Sequence, residues 1–209
     1  MKWPKYIHGH RGGMDHIHAE VFSGMYELRY QPTEGDVVVD AGAHVGFYAC
    51  RASSWVGPTG QVFAFEPESQ NFAVLQGEHK EECGLANVAM YKMALWNDTA
   101  QMTLNHSHSS AEHSLVHRQK NGGESDEVVP CVRLEDILPK KLARLDFMKI
   151  DVEGAEARLI LGATKLVQKF RPHMVIEVDS SSVASVKAIL LGHDYKLFQE
   201  TETVWSAVP

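Results

Sequence analysis

A chain of 209 residues with 44% hydrophobic content can bury one well-covered core and is short for two domains of ordinary size. Its formal charge of -7 and pI near 5.9 argue against a surface built to neutralise phosphates, so nucleic acid is a disfavoured partner. No stretch approaches the roughly 20 apolar residues of a membrane span and the start lacks an apolar leader, so one soluble, cytoplasmic domain over residues 1–209 is expected.

The first fifteen residues mix glycine, histidine, proline and charge and read as a loose or partner-dependent terminus. From about His16 to Tyr30, Ile17, Val21, Met25 and Leu28 share one helical face, which makes residues 1–34 an N-terminal extension with a helix. Pro32 and Gly35 lead into a short β-branched strand at Val37–Asp40, suited to burial on both faces. A helix over Val45–Val56 follows, then the Gly57-Pro58-Thr59-Gly60 turn. Gln61–Glu66 is a second buried strand. Ser69–Glu82 has helical composition, with Phe72, Leu75 and His79 facing inward and Gly84 as its stop. Asn87–Leu95 is a third strand. The alternation breaks over about 97–133, where Gln101–Leu104 and Asp126–Arg133 read as strands of an inserted hairpin and His106–Gly123 as its histidine-rich loop. After a helical turn at Leu134–Leu138 come a strand at Leu145–Asp151, a helix over Glu156–Phe170, a strand at His173–Val178 and a helix over Val183–Leu191. Tyr195–Phe198 and Thr203–Ala207 form a closing antiparallel pair. This βα order predicts an α/β fold, a mostly parallel sheet with helices on both faces. Cys50, Cys83 and Cys131, with no C-x-x-C, are expected as buried reduced thiols rather than a disulfide framework or a thiolate zinc site.

Three acids, Asp40, Glu66 and Asp151, end strands. Open α/β sheets bind ligands beyond the carboxyl ends of their strands, so the three can converge on one crevice. Gly42 and Gly46 let the backbone turn tightly there, and the following helix points its N-terminal amides at the site. Asp40 either accepts amides of that turn or contacts the cofactor. Glu66, twenty positions after Gly46, suits the two hydroxyls of a ribose. His44 stands where the dinucleotide pattern G-x-G-x-x-G has its central glycine, and a side chain there crowds a pyrophosphate. A cofactor without phosphate, S-adenosyl-L-methionine, fits better.

Lys149-Ile150-Asp151-Val152-Glu153-Gly154-Ala155-Glu156 is the second dense cluster. Period two places Lys149 and Asp151 on one side, Glu153 swings over the same crevice, Gly154 permits a sharp turn, and Glu156 serves the next helix's first turn. Twelve histidines include His8-Gly9-His10, His16-Ile17-His18 and His106-Ser107-His108. No H-E-x-x-H or three-ligand spacing is present, so no metal is expected and most are read as solvated. His113 is the histidine to test as a base, because the insertion should cover the active edge, and Asp151 is its rival.

VVVDAGAHVGFYA, FAFEPESQNFAVL, VRLEDIL, FMKIDVEGAE and MVIEVD occur in the order found in the FkbM-type methyltransferase family, which residues 35–179 resemble. The resemblance implies a class I (Rossmann-like) S-adenosylmethionine-dependent methyltransferase fold: seven strands, mostly parallel, with a C-terminal antiparallel hairpin and helices on each face. It also implies methyl transfer, commonly to an oxygen of a sugar or other small metabolite. Asp40, Gly42 and Gly46 match the glycine loop, with Ala43 inside it, and Glu66 with Pro67 the ribose-binding acid. His44 departs from the more usual asparagine. Asp151 and Glu153 match the acids of KIDVEGAE, as catalytic, substrate-orienting or cofactor-contacting groups. Ala94, Leu95 and Trp96 lie where adenine is often flanked, with Trp96 placed to stack on the base. The expected partner is a hydroxylated small molecule, and a homo-oligomer is compatible with the sequence. A nicotinamide-dependent oxidoreductase and a non-catalytic cofactor- or partner-binding relative are the competing readings.

Overall fold

The computed structural model describes residues 14–79, 86–106, 113–116 and 126–209. Its strands are β1 (Val37–Ala41), β2 (Gln61–Phe65), β3 (Val88–Tyr91), β4 (Ala94–Leu95) and β5 (Ala100–Leu104). They continue as β6 (Glu127–Val132), β7 (Phe147–Ile150), β8 (His173–Glu177), β9 (Lys196–Gln199) and β10 (Val204–Val208). The helices are α1 (Met14–Phe22), α2 (Phe47–Val56), α3 (Ser69–Val74), α4 (Leu134–Ile137), α5 (Glu156–Leu161), α6 (Thr164–Phe170) and α7 (Val183–Leu191).

Seven strands form one sheet in the order β3-β2-β1-β7-β8-β10-β9, with β10 antiparallel to both neighbours and the other pairs parallel. β1 is buried throughout, and its residues alternate between two apolar layers. Val37, Val39 and Ala41 pack with Leu134, Leu159, Ile160, Val167 and Leu190 on one face. Val38 packs with Val21, Tyr26, Tyr48 and Ala52 on the other. That alternation explains why the strand reads as unbroken apolar sequence: both faces are covered, one by α4–α7 and one by α1 and α2. Among the described residues, no helix is long and apolar enough to cross a membrane.

Several expected boundaries are corrected. The helix expected to reach Tyr30 ends at Phe22, because Gly24 turns left-handed (φ 84°) and Met25–Glu27 form a 3-10 turn. Tyr26 is therefore buried while Leu28 is 57% exposed. α3 gives way at Leu75 to a wider π-helical turn over Leu75–His79. The strand expected over Asn87–Leu95 divides: β3 edges the large sheet, and β4 pairs in parallel with β6, which also pairs antiparallel with β5. The helix expected over Glu156–Phe170 breaks at Gly162, where a Cβ would lie 1.9 Å from the carbonyl oxygen of Trp96. Cys50 is disulfide-bonded, against the expectation of a thiol there, whereas Cys131 is a buried free thiol. Residues 1–13 with His8 and His10, Cys83, Gly84, the His79 side chain and most of the histidine-rich stretch lie outside the described residues.

Candidate active site

At the carboxyl end of β1 the chain turns through Gly42 (φ 78°), His44 (φ 52°) and Gly46 (φ 99°) before α2 begins. The amides of Gly42 and Ala43 both donate to the Phe65 carbonyl, which ties the turn to β2. A Cβ on Gly42 would lie 1.7 Å from the Asp151 carbonyl oxygen, so the position must be glycine for the turn to pass the end of β7. His44 occupies a left-handed conformation that asparagine, aspartate and histidine adopt more readily than other side chains. This accounts physically for histidine standing where asparagine is more usual.

Glu66 locks the turn to the exit of β2. Its carboxylate accepts the His44 amide at 2.9 Å on Oε2 and the Glu68 amide at 2.9 Å on Oε1. Burial pushes its pKa up to about 7, against the lowering effect of those two amides.

On the α1/α2 face, strand register assembles a second group. Asp40 and Lys149 are partners across β1 and β7, and Val175 of β8 is the next partner along. Two residues beyond Val175, Glu177 falls on the same face. Lys149 Nζ donates to Asp151 Oδ2 at 2.9 Å and to the Gly42 carbonyl at 3.0 Å, and stands 3.8 Å from Asp40 Oδ1. Burial alone would lower the lysine's pKa. Asp151 and Asp40 outweigh it and hold it above the ordinary value. Asp40 is fully buried, its carboxylate oxygens make no close hydrogen bond among the described residues, and burial raises its pKa to about 6 although Lys149 opposes this. Tyr26 Oη donates to Glu20 at 2.5 Å and more weakly to Glu177 at 3.4 Å, and its ring lies 5.6 Å from Lys149 Nζ. Burial, then Asp151, raises Glu177 to about 7.

A cavity of about 260 Å³ joins the two groups, beyond the carboxyl ends of β1, β2, β7 and β8. Of the residues singled out by sequence, Gly42, Ala43, His44, Glu66, Pro67, Ala94, Leu95, Asp151, Glu153 and His113 line it. Asp40 and Gly46 do not: the first is buried behind the wall under Lys149, and the second starts α2. Trp96, expected to stack on a base, stands outside the wall. Its carbonyl abuts Gly162, its ring faces Arg158 at 5.9 Å, and it packs on the apolar cluster of the small sheet. Glu153 adopts a left-handed conformation (φ 49°), and its carbonyl accepts the Ser114 hydroxyl at 2.5 Å. Glu20, Tyr26 and Glu177 line the cavity but were not anticipated. Glu177 was within reach, as a fourth acid at a strand end. Tyr26 was not, since it sits in a segment whose pattern speaks only of core.

The sheet order, with its closing antiparallel hairpin and a cavity-facing glycine turn after the first strand, defines a class I S-adenosylmethionine-dependent methyltransferase fold. Residues 40–197 match the Methyltransferase FkbM domain model. The chain belongs to the FkbM methyltransferase family, whose cofactor is S-adenosyl-L-methionine. It is 26% identical over 230 residues to the 31-O-demethyl-FK506 methyltransferase FkbM of Streptomyces tacrolimicus, a match covering 95% of this chain and 88% of that one. A methyltransferase FkbM from Methylobacillus flagellatus KT superimposes with a TM-score of 0.64 at 15% identity over 86% of this chain, which spans 45% of that structure's length. Aeropyrum pernix fibrillarin, solved with natively bound S-adenosyl-L-methionine, superimposes with a TM-score of 0.52 at 12% identity, covering 92% of this chain and 73% of that one.

Proposed function

We propose that this chain transfers the methyl group of S-adenosylmethionine to a hydroxyl oxygen of a small metabolite. The observation that carries the reading is one cavity wall in which the glycine turn and Glu66 adjoin Lys149 and Asp151. Lys149 is the one lysine or arginine among the described residues of that wall, and its ammonium already holds Asp151 and the Gly42 carbonyl. The wall thus suits a cofactor without phosphate and, among its described residues, offers no uncommitted cation to a pyrophosphate. Glu66 accepts the ribose hydroxyls, the backbone of Gly42, Ala43 and His44 receives the amino-acid end, and Pro67, Ala94 and Leu95 flank the base. Asp40 and Gly46 act indirectly, one by holding Lys149 and one by starting α2.

When bound, the cofactor supplies an already activated methyl group, so alignment and deprotonation are the tasks left to the protein. Asp151 accepts the acceptor's hydroxyl proton. It is preferred to His113 because Lys149 fixes its carboxylate at 2.9 Å, whereas His113 stacks on His106 with ring centroids 4.6 Å apart. Glu153, beside it in the wall, orients the acceptor. The name of the Streptomyces relative specifies a 31-O-demethyl acceptor, which supports an oxygen nucleophile.

Methyl-labelled S-adenosylmethionine offered with a panel of hydroxylated and aminated metabolites tests the reading. Label should appear on a hydroxylated acceptor with an equal amount of S-adenosylhomocysteine. Asp151→Asn should lower kcat by about 10²- to 10⁴-fold with little change in cofactor Kd. Transfer to amines alone would overturn the oxygen assignment. Cofactor binding without turnover on any acceptor would favour the non-catalytic reading.

A further inference from the structure

Where the chain leaves β5, Asn105 and Ser114 form an antiparallel bridge, with amide-to-carbonyl hydrogen bonds of 2.9 and 3.1 Å. One step further out, His106 stands opposite His113, and directly opposed residues of an antiparallel pair project to the same face. The two imidazoles stack, with ring centroids 4.6 Å apart and planes 26° from parallel. Glu68 completes the group from the start of α3. The residue is 3% exposed. Its amide is held by Glu66 Oε1 at 2.9 Å, and its own Oε2 accepts the Asn71 amide at 2.6 Å. A carboxylate has further lone pairs to offer after making one such cap.

One ligand atom each from Glu68, His106 and His113 lies within 4.8 Å of the other two. His106 Nε2 is buried and has no hydrogen-bond partner among the described residues. Donor atoms around a tetrahedral ion with bonds of about 2.0–2.1 Å sit roughly 3.4 Å apart. Small side-chain rotations would close the group to that spacing. Two imidazoles and one carboxylate are a donor set for a borderline transition metal, and three protein ligands leave a fourth position open. We propose that Glu68, His106 and His113 bind one divalent ion of the zinc type at the cavity wall, clamping the exit of β5 to the start of α3. His113 lines the cavity, so the ion sits at its border, and the assignment stands whichever acceptor the cavity takes.

A proton shared between an imidazole and Glu68 would answer the same electrostatic need, and cobalt(II) separates the two. Titrating the chelator-treated full chain with cobalt(II) should give one tight equivalent and the intense visible bands of tetrahedral coordination. His106→Ala and His113→Ala should each abolish those bands. Glu68→Gln, which can still cap Asn71, should weaken binding at least tenfold. His8→Ala/His10→Ala should leave the bands unchanged, separating this site from the other histidine pairs. Zinc should raise the melting temperature of the parent and not of the variants. Should His106→Ala melt below the parent in the metal-free state, His106→Gln serves in its place. Absence of tetrahedral bands in the parent would overturn the proposal. So would bands that survive both histidine substitutions, or bands lost with His8 and His10.

Discussion

Glu66 carries the most at the scale of single residues, because it performs two tasks with one carboxylate. It organises the glycine turn through the His44 amide and faces the cavity. Since burial raises its pKa to about 7, the cofactor-free carboxyl is half protonated near neutrality. A ribose hydroxyl donates best to the ionised form. S-adenosylmethionine affinity should therefore rise as pH increases from 6 to 8, by up to about tenfold per unit below the pKa. Glu66→Gln should bind at least tenfold more weakly, because it cannot accept the same amides and hydroxyls, and should show a flat profile. Calorimetry at pH 6, 7 and 8 checks this, and a parent profile independent of pH would refute the ribose role. Sequence alone marked Glu66 and Gly42, since spacing and strand-end position are local properties. It could not show that the His44 amide donates to Glu66, which depends on the left-handed φ the turn imposes.

At the scale of elements, the register between β1 and β7 decides which charges meet. Asp40 and Lys149 are 109 positions apart and become neighbours because the two strands pair in parallel with Asp40 opposite Lys149. A slip of one residue would carry either side chain to the opposite face. Removing the cation should then be costly: Lys149→Met leaves the fully buried Asp40 without its counter-charge beside a half-buried Asp151, with an expected loss of about 3–5 kcal/mol in unfolding free energy. Adding Asp40→Asn should restore part of that loss. Urea denaturation of the two variants is the measurement, and equal stability of Lys149→Met and the parent would exclude a structural role for the ion pair. The same scale explains the misjudged helices and strand. One helix ends at Gly162, where the passing Trp96 carbonyl leaves no room for a Cβ. Lys92 turns outward to Glu127 at 3.2 Å before β4 changes sheets. Neither cause is written in the local pattern.

Across the whole molecule, the buried acids set an unusual pH response. Burial raises Glu27, Glu66 and Glu177 to about 7 and Asp40 to about 6. Each binds its proton more tightly in the native state than in the unfolded chain. Their contribution to stability is therefore fully present below the unfolded values of 4.5 and 3.8 and is lost as pH rises to about 7. Asp136, lowered by its hydrogen bond to Arg133, acts in the opposite sense but only below its ordinary value of 3.8. The urea midpoint of the cofactor-free protein should fall between pH 4.5 and 7.5, and Glu177→Gln should flatten part of that slope. A midpoint that rises across the window would contradict the assignment.

By itself the sequence determined the alternating βα order, the closing hairpin, the glycine turn and three of the strand-end acids, because period, turn chemistry and strand-end position act over a few residues. The tertiary structure decided which of those acids reach the cavity. It drew Asp40 behind the wall under Lys149, moved Trp96 outside it, and brought Glu20, Tyr26 and Glu177 to a surface that no local pattern joins. These outcomes depend on strand register and on backbones that pass one another, and such contacts exist only once segments distant along the chain are paired.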